Sequence, residues 1–171
     1  MKTKFHVLAL GLIFFGVATR LIPHPANVTA IGALALWSTT LFRSRSVAIL
    51  LPLLTLFVTD LILGFHSTVL WVYGAFACIG VLSIWLEPRV SWARTFAGSV
   101  IASLLFFGLT NFGVWLTGEL YPMTSQGLEE CYLMGVPFLR NQVWGDLLYS
   151  GVLGIAARAL ASHRELAYQR P

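Results

Sequence analysis

Six apolar runs divide the chain, each bounded by a proline, a basic pair or a polar turn. The first covers 6–22 and stops at Pro23-His24-Pro25, where proline restricts its predecessor and withholds an amide from the helical ladder. The second covers 28–42 and ends at Arg43-Ser44-Arg45; the third, 47–64, holds Pro52 as an expected kink and Asp60 near its end. Phe65-His66-Ser67 turns the chain into the fourth run, 68–86, and Glu87-Pro88-Arg89 through Arg94 leads to the fifth, 95–116. Residues 117–137 are too polar to span and read as the longest loop, turned back by Pro122 and Gly127 as a lid. The sixth run, 138–160, is followed by a short basic tail. A bilayer crossing takes roughly 20 apolar residues over about 30 Å. The pattern therefore predicts an all-α integral membrane protein, a single domain of six transmembrane helices.

Composition agrees. Hydrophobic residues make up 57% of the 171 and charged residues 11%, against about a quarter charged in a soluble domain. Six spans leave only short loops and no room for a separate soluble catalytic domain. Lys2, Lys4, Arg43, Arg45, Arg89, Arg94, Arg158, Arg164 and Arg170 fall on one side of six alternating spans, and only Arg20 and Arg140 on the other. Cytoplasmic loops collect such residues, so both termini are expected in the cytoplasm of a bacterial inner membrane. The net charge of +4 is scattered singly between apolar segments, which reads as topology and not as a nucleic-acid patch. The basic start and apolar run 7–18 imitate a signal peptide, but no small-x-small site follows before Thr19-Arg20-Leu21-Ile22-Pro23, so a retained first helix is expected.

The outer half of this bundle is unusually polar: it holds Arg20, His24, Asn27, Asp60, His66, Tyr73, Asn111, Arg140 and Asp146. Ionisable groups at membrane depth are costly and face a cavity or a partner, so a ligand pocket opening outward is expected. Single Trp and Tyr residues there also serve as an interfacial belt. Asp60 needs a partner, with Arg20, Arg140 and His24 as candidates. Cys78 lies about 16 Å into the fourth helix; from depth alone it reads as a small packing side chain, and it becomes a soft metal donor only if the pocket reaches it. Gly74, one turn away, would let something flat approach. His24 and His66 lack the spacing of a zinc pair, and no HExxH, CxxC or phosphate loop occurs. Glu129-Glu130-Cys131 is a weak metal candidate.

The segment Arg20-Leu21-Ile22-Pro23-His24-Pro25-Ala26-Asn27-Val28-Thr29-Ala30-Ile31-Gly32-Ala33-Leu34-Ala35-Leu36 resembles a signature of small bacterial membrane proteins akin to the substrate-binding (S) components of ECF transporters. So do Thr59-Asp60-Leu61-Ile62-Leu63-Gly64-Phe65-His66, Thr110-Asn111-Phe112-Gly113-Val114-Trp115 and the stretch 127–138. With a cysteine in the fourth apolar segment, the chain looks most like the BtuM-type solitary cobalamin transporters. That resemblance implies a six-helix protein binding cobalamin (vitamin B12) in a periplasm-facing pocket, without the ECF energising module. It implies cobalt ligation by the thiolate of Cys78 and thiol-dependent removal of cyanide from cyanocobalamin. Cys131 belongs to the broader pattern and does not discriminate the substrate. His24, Asn27, Asp60, Tyr73, Asn111 and Arg140 are the expected contacts to the corrin rim, whose amides call for hydrogen-bonding partners. Three other readings stay open: a carrier of another vitamin or metal chelate, a structural membrane protein whose polar end binds another protein, and a membrane enzyme with Cys78 as nucleophile.

Overall fold

The computed structural model describes residues 2–42, 44–86 and 91–168. Its elements are helices throughout: α1 (Lys2–Leu21), α2 (Ile31–Phe42), α3 (Arg45–Leu63), α4 (Val69–Leu86), α5 (Trp92–Thr117) and α6 (Ser125–Tyr168). No strand occurs among the described residues. Arg43, Arg89 and Arg170, used above for orientation, and the Glu87-Pro88-Arg89 turn lie outside the described residues.

Local chemistry sets several helix ends. Ser44 caps α3 by accepting from the Val47 amide, and Ser91 caps α5 by accepting from the Arg94 amide, satisfying amides that have no partner within the helix. Gly64 ends α3 at φ 90° and Gly118 ends α5 at φ 66°, both in the region that favours glycine.

Short connections make successive helices antiparallel. The ends of α1, α3 and α5 therefore meet the starts of α2, α4 and α6 at one end of the bundle. The side chains themselves record this: Ser99 of α5 pairs with Ser150 of α6, Ser103 with Asp146, and Phe107 with Tyr132. α2 is the central helix. Every residue from Ile31 to Ser38 is buried, and α3, α4, α5 and α6 all pack against it.

Three helices, α3, α4 and α5, are long and apolar enough to cross a membrane. Large side chains such as Leu70, Trp85, Leu104 and Ile155 are exposed on the bundle's outside, while Ser83, Thr95, Ser99, Ser103 and Ser150 are buried within it. That inversion is foreign to a water-soluble protein, which rarely exposes large contiguous apolar patches.

Two boundaries differ from the sequence reading. The second helix begins at Ile31, not at 28, and its 12 residues span only about 18 Å at 1.5 Å per residue. Residues 125–137, expected as loop and lid, form the first three turns of α6, which runs through Pro137 without ending. Proline normally breaks a helix by removing one hydrogen bond and crowding the preceding turn; here the rest of the segment is helical enough, and packed well enough on α5, to carry it. What remains of the long loop is 118–124.

Candidate functional site

A cavity of about 540 Å³ opens at the end of the bundle where α1, α3 and α5 finish. Its mouth carries Arg20, His24, Asn27, His66 and Tyr121. Val72, Phe76, Phe106, Met134 and Phe138 form apolar walls, and Ile31, Gly32, Gln142 and Asp146 lie deepest. The volume falls within the range of small-molecule pockets, about 300–1,000 Å³, and the mix of apolar walls and few polar groups is typical of them.

The segment between α1 and α2 shapes the mouth. Asn27 takes φ 66°, a left-handed conformation that asparagine tolerates better than most residues. The Val28 amide bonds to the Pro25 carbonyl at 3.0 Å, and the Ala30 amide to the Thr19 hydroxyl at 3.1 Å. The backbone that enters the bundle above α2 is thus tied to α1, and the short α2 leaves the space over its first turn to the cavity.

Beside the mouth, three helices converge on Asp60. Arg20 of α1 pairs with its carboxylate at 2.7 Å, and Tyr73 of α4 donates to it at 2.8 Å. Arg20 also donates to the Thr59 hydroxyl at 2.5 Å. Asp60 itself is 1% exposed, so the carboxylate expected to need a partner has two. On the opposite wall α5 and α6 approach closely at Gly135, where a Cβ would come within 2.5 Å of Asn111 Oδ1. The Cys131 thiol donates to the Asn111 carbonyl at 3.3 Å.

The deepest part joins α6 to α2 and α5. Asp146, 3% exposed, lies against Gly32 in the first turn of α2, where any side chain would collide with its carboxylate. Partial positive charge at a helix N-terminus favours an anion there. Ser103 donates to Asp146 at 2.7 Å. Gln142, one turn earlier on α6, is 4% exposed, and its Oε1 has no hydrogen-bond partner.

A model for a family of unknown function, DUF6580, matches residues 1–167. The chain belongs to the DUF6580 family. No curated protein and no solved structure matches it.

In this DUF6580 chain, His24, Asn27 and Asn111 of the expected contacts line the cavity. Asp60 and Tyr73 stand behind Arg20 as its support, not on the cavity surface. Arg140 is exposed on α6, away from the cavity lining. Cys78 is exposed on α4 and lies outside the cavity; Cys131 is the thiol on its wall. Among the described residues no three His, Cys, Asp or Glu side chains gather as a metal site. Sequence reasoning missed Gln142 and did not tie Cys131 to the pocket. The signal was present: Cys131, Gly135, Phe138, Gln142 and Asp146 recur at helical spacing, a stripe that continues one face of α6 across Pro137.

Proposed function

We propose that this DUF6580 chain is a membrane-embedded binding protein that takes a small amphipathic solute into the cavity, in the manner of an S component. The observation that carries the reading is the cavity itself: a concave, mostly apolar space with a polar mouth, at one end of a bundle whose outside is apolar. All six helices crossing a bacterial inner membrane, with the cavity facing outward, is part of the proposal. Its support is the basic residues Arg45, Arg94 and Arg158 at the end away from the mouth, the pattern of cytoplasmic ends.

The narrower form names cobalamin as the solute, taken up without an energising module and decyanated by a thiol. Its support is the sequence resemblance. A corrinoid is larger than the drug-sized ligands that such volumes enclose, so it would protrude through the mouth. Because Cys78 faces away from the cavity, a corrinoid held inside would meet Cys131 as the lining thiol, and one held by Cys78 would lie on the outside of α4.

The test is the absorption spectrum of purified protein after incubation with cyanocobalamin and gel filtration, for wild type, Cys78→Ala and Cys131→Ala. Corrin retained by wild type, with a spectrum altered by one cysteine variant alone, supports the cobalamin form and identifies the thiol. Corrin retained by none of the three sinks that form. The broader reading is checked by extracting small molecules from wild type and from Val72→Trp, which fills a wall of the cavity. A solute enriched in wild type and lost from the variant supports it. Identical extracts, with no vitamin or cofactor in a panel raising the melting temperature of either protein, would refute it.

A further inference from the structure

The deepest part of the cavity has an unmatched requirement. Gln142 lines it, is 4% exposed, and leaves Oε1 without a partner. Its amide nitrogen interacts with Asp146. With Asp146 ionised, the opposite amide orientation would set a carbonyl oxygen against a carboxylate, two acceptors with no donor between them; as placed, Oε1 is the free atom. Buried polar atoms in folded proteins are paired with few exceptions, and an exception calls for a cause.

Charge points the same way. Arg20, the arginine on the cavity surface, is engaged by Asp60 at 2.7 Å. Asp146 has the Ser103 hydroxyl, the Gln142 amide and the first turn of α2 as its surroundings. The first turn of α2 accounts for a carboxylate at this depth; it does nothing for Gln142 Oε1. A carboxylate and an unpaired carbonyl together present acceptors only. His24 and His66 stand at the mouth, where His24 Nδ1 lies 2.6 Å from the Ile22 carbonyl and His66 Nδ1 lies 2.9 Å from the Thr68 hydroxyl. Between the two polar ends the walls are apolar.

We infer that the ligand enters amine first: a small molecule with an apolar body and a protonated amine, whose N–H groups are accepted by Gln142 Oε1 and the Asp146 carboxylate. This rests on the binding reading above and names the substrate class of the same site. An amine supplies the donor that Gln142 Oε1 lacks and a full positive charge beside Asp146, where the first turn of α2 offers only a partial one. A carboxylate ligand in the same pose would face both acceptors and be excluded.

The experiment compares three probes of one shape, 2-phenylethylamine, 2-phenylethanol and 3-phenylpropanoate, titrated at pH 7 into the full chain in lipid nanodiscs and followed by ligand-observed NMR. The amine is expected to bind saturably and the carboxylate not to bind. Gln142→Leu should weaken the amine at least about tenfold, since a hydrogen bond to a charged donor is lost. Gln142→Met, of similar size and without the acceptor, should weaken the amine to the same extent; it serves if Gln142→Leu fails to fold. Amine binding that survives Gln142→Leu or Gln142→Met, or is matched by the carboxylate, overturns the amine assignment and leaves the cavity reading standing. Saturable binding of none of the three overturns the amine assignment, while the cavity reading stands or falls separately on the extraction comparison.

Discussion

Replacing Asp60 with alanine removes the group on which α1, α3 and α4 converge, and the cost follows from what it strands. Arg20 loses its counterion at 2.7 Å and Tyr73 loses its acceptor at 2.8 Å. Breaking a buried ion pair from one side costs about 3–5 kcal/mol. Arg20 is 18% exposed and keeps the Thr59 hydroxyl and the Leu56 carbonyl as acceptors, so part of its charge rehydrates and the lower half of that range applies. The Tyr73 hydroxyl, which lies off the cavity surface, is left without its acceptor. The expected loss is roughly 3–4 kcal/mol. The assay is equilibrium unfolding in mixed micelles, followed by tryptophan fluorescence, with a double variant as the control. Arg20→Met with Asp60→Leu removes both charges and should recover most of the loss, because an apolar replacement of a buried pair is often near neutral. Tyr73→Phe alone should cost about 1–2 kcal/mol. An Asp60→Ala protein within about 0.5 kcal/mol of wild type, or a double variant no better than the single, would refute the claim that this carboxylate holds three helices through its two partners.

Gly32→Val sets a branched side chain against the Asp146 carboxylate; a loss of about 2–3 kcal/mol is expected in the same unfolding assay, partly recovered by adding Asp146→Ala, and no recovery would remove Asp146 as the cause. Arg158 stacks 3.9 Å from the Trp92 ring centroid and 5.7 Å from that of Trp37, so Arg158→Ala should cost about 1–2 kcal/mol and alter tryptophan emission; an unchanged spectrum and stability would mean that the stack is not held. A charged maleimide should label neither cysteine in nanodiscs, since the proposed membrane placement sets exposed Cys78 against lipid and Cys131 is 1% exposed, and should label both after unfolding in SDS. Labelling of Cys78 in the intact nanodisc would mean that this face of α4 meets water and would count against the membrane reading.

The number of helices was legible because prolines, basic residues and polar turns interrupt the apolar runs in plain view. Orientation of side chains was not. α4 is apolar on nearly every side from Val69 to Leu86, so nothing in its pattern tells which face meets the cavity, and depth alone read Cys78 as a buried packing side chain where it is exposed. The start of α6 was hidden for the opposite reason. Glu129-Glu130 and Pro137 are poor material for a membrane span, and testing for a span overlooks a helix that is amphipathic. Asp60 and Arg20 were nominated as partners from their cost at membrane depth, and they do pair. Tyr73 and Arg140 were grouped with the ligand contacts because they share the outer level; level does not specify which way a side chain faces.

The brevity of α2 bears on how such a bundle is assembled in a membrane. Twelve residues are too few to cross about 30 Å of hydrocarbon alone, and the left-handed Asn27 just before them stops an extension at the N-terminal end. A segment like this has little standing as an independent inserted helix, and its stability comes from neighbours later in the chain, chiefly α3 and α4. Under the proposed six-span placement, α2 would therefore wait during synthesis, shielded by the insertion machinery or paired with α3 as a hairpin, until those partners arrive. The helix that forms the centre of the finished protein is the one least able to enter the bilayer by itself, so lesions in α3 or α4 should be read out first as misinsertion of α2.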